Sequence, residues 1–245
     1  MKRPGGITKP VVIVHLYGRE MNIYGDTGNV LALRRRLEWR GYPVRVVPVD
    51  EGNPFDLEEA DIVVAGGGED ASQLAIAGDL VDRGAAVHRA VRDGVVFLTV
   101  CGTYQLFGRR FVTADGAEIP GIGVFAAETI GGGSRMIGNV VVDTPWGDLV
   151  GFENHSGRTA LDPGQPSLGR VRRGFGNNDM TAEEGASVEN CFGTYLHGSV
   201  LPKNPAFADE LIRRALQRRN GAPVTLQPLD DAVERRAAAT AATRP

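Results

Sequence analysis

Cysteine is scarce in this sequence, with only Cys101 and Cys191 in 245 residues. Two cysteines so far apart make a poor disulfide framework, which argues against a small secreted scaffold and for a reducing cytoplasm. Charge of one sign is also lacking: 27 basic against 30 acidic residues leave a net −3. No strong field therefore favours nucleic acid or an anionic membrane surface. No apolar run approaches the ~20 residues needed to span a bilayer. Met1–Pro10 is polar and broken by Pro and Gly, unlike a secretory signal. There is no internal repeat and no clustered set of metal ligands, so no metal is expected. A soluble cytoplasmic protein with no nucleic-acid partner and no integral membrane segment is the expectation.

What the chain does have is 42% apolar residues, enough for a sizeable core. In the first half they fall in short β-branched runs separated by amphipathic stretches. Val11–Tyr17, Val44–Val49, Ile62–Ala65 and Val95–Val100 read as strands. Asn29–Arg40 reads as a helix, with Asp26 or Thr27 as its cap and Gly41 as its stop. Gln73–Arg92 has helical spacing that Gly78 and Gly84 weaken, so it is expected to split in two. This alternation predicts an α/β fold with a mostly parallel sheet covered on both faces. The second half reads as added antiparallel strands at Gly121–Phe125, Gly138–Asp143, Leu149–Glu153 and Arg170–Phe175. Val188–Leu196 reads as a last strand and Pro205–Arg219 as a final helix. Ala237–Pro245 holds no large apolar residue and is expected to be disordered.

Chemistry concentrates where Val95–Val100 runs into Cys101-Gly-Thr-Tyr-Gln105. An apolar strand, a cysteine, a glycine and a helix-compatible stretch form the cysteine version of a nucleophile elbow. Gly102 lets its N–H face an oxyanion, and the helix N-terminus is expected to lower the pKa of the thiol. The plain alternative is a buried core cysteine, which is the reading for Cys191. Among four histidines, His197 ends an apolar strand, as Cys101 does, and catalytic groups gather at such ends. It is the preferred base, and His155, on a loop able to face a pocket, is the reserve. His15 reads as a sheet residue and His88 as a surface or packing residue.

Gly66–Gly68 follow a strand and can aim backbone N–H groups, notably that of Gly68, at an oxyanion; a tight turn would explain them equally. Arg135, on the Gly131–Gly133 loop, can clamp a carboxylate, or simply be a solvated arginine. Gln105 lies four residues past Cys101 on one helix face, where it either meets substrate or caps the helix.

Together these pieces resemble the class I glutamine amidotransferases, whose elbow reads Cys-Gly-x-x-Gln with a Gly-rich oxyanion loop upstream and a histidine far downstream. Cys101–Gln105, Glu153-Asn-His-Ser-Gly157 and Tyr195-Leu-His-Gly198 resemble the cobyric-acid-synthase-type branch. The opening run from His15 to Asn29 is similar to the GatD-type amidotransferase subunits of lipid II isoglutaminyl synthases. The likeness covers roughly Pro10 to Arg219.

The resemblance implies a flavodoxin-like amidotransferase domain over residues 10–219, with flexible termini at 1–9 and 220–245. It implies Cys101 as nucleophile, His197 as base, Arg135 as the glutamine-binding arginine and L-glutamine as substrate. It also implies a heterodimer with a Mur-ligase-like (MurT-type) synthetase. That partner would carry the ATP and Mg and amidate the D-glutamate of the lipid II stem peptide, leaving this subunit without a cofactor. Many class I members place a carboxylate two residues after the histidine, where this chain has Ser199. Either a dyad suffices or another residue orients the imidazole. An acceptor such as a cobyrinic acid would call for a fused synthetase domain, for which this chain has no room. A cysteine hydrolase of γ-glutamyl bonds and a silent scaffold are the remaining alternatives.

Overall fold

The computed structural model describes residues 9–197 and 199–244. The first half alternates β1 (Val11–Leu16), α1 (Thr27–Trp39), β2 (Val44–Val49), β3 (Ile62–Ala65), α2 (Asp70–Arg92), β4 (Val96–Val100) and the short α3 (Gly102–Phe107). The second half opens with β5 (Arg110–Val112), β6 (Glu118–Pro120), β7 (Ala127–Ile130), β8 (Met136–Thr144), β9 (Gly147–His155) and β10 (Arg158–Leu161). β11 (Gly169–Arg173), β12 (Glu183–Glu184), β13 (Ala186–Val188) and β14 (Cys191–Thr194) follow, then α4 (Val200–Lys203), α5 (Pro205–Asn220) and α6 (Ala232–Thr243).

The main sheet has the order β13-β14-β4-β3-β1-β2. Its strands are parallel except β13, which pairs antiparallel with β14. Taken in chain order, the five parallel strands stand as 2-1-3-4-5, the flavodoxin-like arrangement. β3 and β4 are buried at every residue, as expected of central parallel strands covered on both faces. β2 lies at the edge, where the missing N–H of Pro48 is tolerated. α1 buries Val30, Leu33 and Leu37, one apolar stripe at helical spacing. Two four-stranded sheets, β10-β7-β5-β6 and β12-β11-β8-β9, complete the fold.

Four expectations need correction. α2 is one continuous helix of 23 residues. Gly78 faces open space, and at Gly84 a Cβ would make only ordinary contact with Ile122 at 3.4 Å, so the two glycines thin the helix surface without breaking it. Gly121–Phe125 is no strand. Its backbone N–H groups at 121, 122, 123 and 125 donate to the carbonyls of Arg109, Leu106, Gly108 and Phe107, closing the end of α3. Val188–Leu196 divides into β13 and β14 across a tight turn, with Glu189 at φ 51°.

The tail is the fourth correction. Its composition suggested disorder over Ala237–Pro245, and the resemblance a flexible terminus over 220–245, yet 232–243 form α6. Ala, Arg and Glu are strong helix formers. Arg36 also holds Asp231, the residue before the helix, at 2.6 Å. Residues 1–8 of the expected N-terminal flexible stretch lie outside the described residues.

Candidate active site

Cys101 occupies the turn between β4 and α3 with φ 52° and ψ −105°, a conformation rare for a residue with a Cβ. Its N–H donates to the carbonyl of Thr194, the last residue of the neighbouring parallel strand β14. Three residues beyond Thr194 the chain reaches His197, whose backbone exchanges hydrogen bonds with Phe152 of β9. Cysteine and histidine thus emerge from the carboxyl ends of adjacent parallel strands, where such sheets place their sites.

Gly67 shows how close the two side chains come. A Cβ on Gly67 would stand 3.2 Å from Cys101 Cβ and 2.7 Å from His197 Cε1. Both side chains therefore converge on one backbone position that glycine alone leaves open.

His197 is fully buried, and neither ring nitrogen has a hydrogen-bond partner among the described residues. Burial drives its pKa down to about 3, with the charges of His155 and Arg135 acting in the same direction. The expected lowering of the thiol does not occur. Burial pushes Cys101 up to about 12, and the nearby Asp26 carboxylate adds to this. The Gly102 N–H and the Arg135 charge oppose the rise without cancelling it. Desolvation outweighs a helix terminus of one short turn and a half. At neutral pH the resting pair is thiol and neutral imidazole.

Cys101 forms part of a pocket of about 350 Å³, bordered also by Tyr24, Gly68, Gln105, Arg135 and His155. Arg135 is exposed at its rim, donating from Nε to Asn154 Oδ1 at 2.9 Å and from Nη2 to the Asn154 carbonyl at 3.1 Å. Gln105 is buried, accepts from Gln73 Nε2 and donates to Tyr195 Oη, each at 3.0 Å. Its side chain is anchored more firmly than a free substrate-binding amide would be, although it borders the pocket. Gly68 and Gly102 meet at Met21, whose Sδ and Cε would lie 2.5 and 2.9 Å from their respective Cβ positions.

The structure thus gathers Cys101, His197, Arg135, Gln105, Gly68 and Gly102 around one place. His155 ends a strand instead of lying on a loop; its ring stacks on Tyr195 at 3.6 Å and its Nδ1 bonds the Gly157 carbonyl. His88 is a packing residue, bonded through Nε2 to Ile122 O at 2.7 Å. Ser199 does not orient the imidazole, because its hydroxyl donates to Gly25 O at 2.6 Å.

Sequence reasoning singled out the run His15–Asn29 by resemblance and Asp26 as a helix cap, but gave none of its residues a place in the site. Tyr24 covers the His197 ring, Met21 packs beneath the glycines, and Asp26 Oδ2 accepts from Gly67 N–H at 2.8 Å. Besides that resemblance, their position was the signal. A polar, Gly-rich run directly follows the carboxyl end of a central strand, which is where ligands bind in open α/β sheets.

A 2-1-3-4-5 sheet whose last two strands bring a thiol and an imidazole to a single glycine is the architecture of a class I glutamine amidotransferase. The chain belongs to the CobB/CobQ-like glutamine amidotransferase domain family, whose model matches residues 12–205. It is 38% identical over 225 residues to the GatD subunit of the glutamine-hydrolyzing lipid II isoglutaminyl synthase of Staphylococcus aureus (strain N315), covering 91% of each chain. It is also 38% identical over 222 residues to the GatD subunit of Streptococcus pneumoniae (strain ATCC BAA-255 / R6), covering 89% of this chain and 85% of that one. In fold it resembles a crystal structure of a glutamine amidotransferase, with TM-score 0.56, 16% identity, and 84% of this chain and 98% of that one covered. Among the described residues, no helix is long and apolar enough to cross a membrane.

Proposed function

We propose that this chain is the glutaminase subunit of a cytoplasmic lipid II isoglutaminyl synthase, releasing ammonia from L-glutamine for a Mur-ligase-like partner. The observation that carries the reading is the convergence of Cys101 and His197 on Gly67 beside a pocket rimmed by Arg135. The similarity to GatD subunits over nine-tenths of both chains supports the choice of acceptor.

The chemistry follows from the neutral resting pair. Glutamine enters with its α-carboxylate on the Arg135 guanidinium, a planar fork suited to two oxygens. Its side-chain carbonyl lies over Cys101. The sulfur forms a bond to the amide carbon as the thiol proton passes to His197, so thiolate appears only with substrate in place. The oxyanion is held by the N–H groups of Gly68 and Gly102. Collapse breaks the carbon–nitrogen bond, and imidazolium returns its proton to the departing nitrogen, which leaves as ammonia. Water deprotonated by His197 then hydrolyses the thioester, giving glutamate and the free thiol. Gln105 holds the pocket wall by fixing Gln73 and Tyr195.

This subunit is assigned no cofactor. ATP and Mg belong to the partner, which activates the α-carboxylate of the D-glutamate in the lipid II stem peptide. The test is a purified complex of this chain with its Mur-ligase-like partner. Amidation of lipid II should need both chains, ATP and glutamine. A Cys101→Ala complex should fail with glutamine, losing at least ~10³-fold, yet work with concentrated ammonium at alkaline pH. Cys191→Ala should remain active. Failure of the ammonium rescue would mean that the chain does more than supply ammonia. Amidation of a cobyrinic acid in place of lipid II would overturn the acceptor alone.

A further inference from the structure

Asp26 is a carboxylate that the reaction above does not use. It is fully buried between β1 and α1, and no Lys, Arg or His among the described residues forms an ion pair with it. Its position invites a helix-capping role, but it makes no side-chain cap bond to α1. Its one short hydrogen bond instead reaches 41 positions along the chain, from Gly67 N–H to Oδ2 at 2.8 Å. Among the described residues, its only other hydrogen bond is a long 3.4 Å contact from Asn29 Nδ2. Burying a carboxylate with so little compensation is costly, so the bond it does make calls for a reason.

The reason lies in how the glycine turn is held. In the peptide joining Gly66 to Gly67, Asp26 takes the N–H, and Thr103 Oγ1 lies 2.9 Å from the carbonyl, its single proton shared with the Ala65 carbonyl at the same distance. In the next peptide, the Gly67 carbonyl accepts from Ile23 N–H at 3.1 Å. The N–H and C=O of a trans peptide point in opposite directions. Fixing the Gly67 carbonyl toward Ile23 therefore turns the Gly68 N–H to the other side. Gly68 itself borders the Cys101 pocket. A Cβ on Gly66 would stand 2.2 Å from the Met21 carbonyl and 2.6 Å from Asp26 Cβ, so the turn is wedged against this same segment.

We propose that Asp26 is a positioning residue for the thiol site, locking the Gly66–Gly68 turn so that the Gly68 N–H is preset for the oxyanion above Cys101. The proposal rests on the glutaminase reading of the site. It makes the loop between β1 and α1 part of the catalytic apparatus without any contact between Asp26 and substrate. A second consequence concerns the thiol. The charged groups acting on Cys101 are Asp26 and Asp70, which disfavour the thiolate, and Arg135, which favours it. Of the two carboxylates Asp26 has the larger effect.

The test compares wild type, Asp26→Ala and Asp26→Asn in the full chain bound to its partner. Two quantities are read: steady-state glutamine hydrolysis, and the pH dependence of Cys101 alkylation by iodoacetamide. Outright loss of an oxyanion donor costs about 10²–10³ in kcat. A donor left in place but unfixed should cost less, so Asp26→Ala should lose at least about tenfold in kcat with KM changed less than about twofold. Asp26→Asn keeps an oxygen for the Gly67 N–H and should recover most of that loss. Its alkylation curve should move to lower pH, because a charge that opposes the thiolate is gone. A wild-type kcat in Asp26→Ala, an equal loss in both variants, or an alkylation curve unmoved or moved upward would overturn the proposal. If Asp26→Ala does not fold, Asp26→Leu, of similar shape but without an acceptor, takes its place in the kcat comparison, with the same outcomes deciding. A Cys101→Ala control that still hydrolyses glutamine would instead sink the reading of the site itself.

Discussion

The ring of Tyr24 lies over that of His197, centroids 4.5 Å apart and tilted by 54°. Its hydroxyl accepts from Asn154 Nδ2 at 2.6 Å, and the same Asn154 receives Arg135 through Oδ1 and its carbonyl. One side chain thus covers the proposed base and, through one asparagine, steadies the proposed carboxylate clamp. Tyr24→Phe keeps the cover and frees Asn154, so KM for glutamine should rise about threefold to tenfold, the loss of roughly one hydrogen bond, with kcat little changed. Tyr24→Ala opens His197 to water, and the pKa of His197 should climb back toward the ordinary histidine range. The acid limb of the kcat profile should then move to higher pH. If the profile of Tyr24→Ala superimposes on that of wild type, Tyr24 does not shield the imidazole.

Arg135 gives a sharper distinction. Both its hydrogen bonds go to Asn154 while the guanidinium stays exposed at the pocket rim. Arg135→Lys preserves charge and loses the planar fork, and should not rescue binding. KM should rise at least about tenfold in Arg135→Lys and further in Arg135→Ala, since a hydrogen bond to a charged group contributes about 1.5–3 kcal/mol. Kinetics to saturating glutamine will show this, and wild-type constants for Arg135→Ala would remove the residue from the site.

The central sheet was legible because four parallel strands are apolar runs bounded by glycine or charge, and because β4 ends in a cysteine followed by glycine. The elbow, His197 and the Gly66–Gly68 turn follow from that pattern alone. The wall of the site was not legible, because Met21, Tyr24 and Asp26 act through contacts made 40 or more positions away, to which local periodicity is blind. The resting state of the thiol was misjudged for the same reason. A helix start is visible in sequence, whereas the burial that overrides it exists only after folding. The tail misled in the opposite direction: composition showed no core residue, and α6 indeed buries none, but alanine makes a helix without one.

Glu184 offers a test of buried charge away from the thiol. It is fully buried, with Oε1 accepting from Tyr195 N–H at 2.7 Å and Thr194 Oγ1 at 3.0 Å, and Oε2 unpartnered. Burial pushes its pKa up to about 8 from 4.5. Between those values the unfolded chain ionises and the folded chain stays protonated, so stability falls as pH rises. Two other buried groups complicate the acid side. His197, depressed to about 3, makes stability rise with pH up to 6.5, and Asp26, raised to about 6, makes it fall from 3.8. Above pH 6.5 those two contribute no further change, and Glu184 stands out. Glu184→Gln keeps the acceptor and cannot ionise. Relative to wild type it should gain about 2 kcal/mol between pH 6.5 and 8.5. Denaturant midpoints at the two pH values measure this, and parallel behaviour of wild type and variant would show that Glu184 is not held protonated.

The chain after α5 is fastened at one point more than along its length. Arg36 on α1 is buried, and it donates to Asp209 from Nε and Nη2 at 2.7 and 2.8 Å and to Asp231 from Nη1 at 2.6 Å. Arg40, one turn on, donates to Asp209 at 2.6 Å and to the Gln227 carbonyl at 2.8 Å. Beyond this clasp α6 buries no residue; it lies against α4, β8 and β9 with Ala238, Ala241 and Ala242 half-buried, and Arg173 reaches it through an exposed bond to the Ala242 carbonyl. The two parts should therefore respond differently. Deleting 236–245 removes no fully buried residue among those described, only the half-buried Ala238, Ala241 and Ala242 and exposed neighbours, and should change stability by no more than about 0.5 kcal/mol. Asp231→Ala leaves a buried guanidinium with one carboxylate fewer. Because the Asp231 side chain keeps 15% of its surface in water, the cost should fall below that of breaking a fully buried pair, at about 2 kcal/mol. Asp231→Asn should restore part of it by keeping one acceptor oxygen. Chemical denaturation of the three variants decides, and a truncation as damaging as Asp231→Ala would mean that α6 itself, not the clasp before it, holds the tail in place.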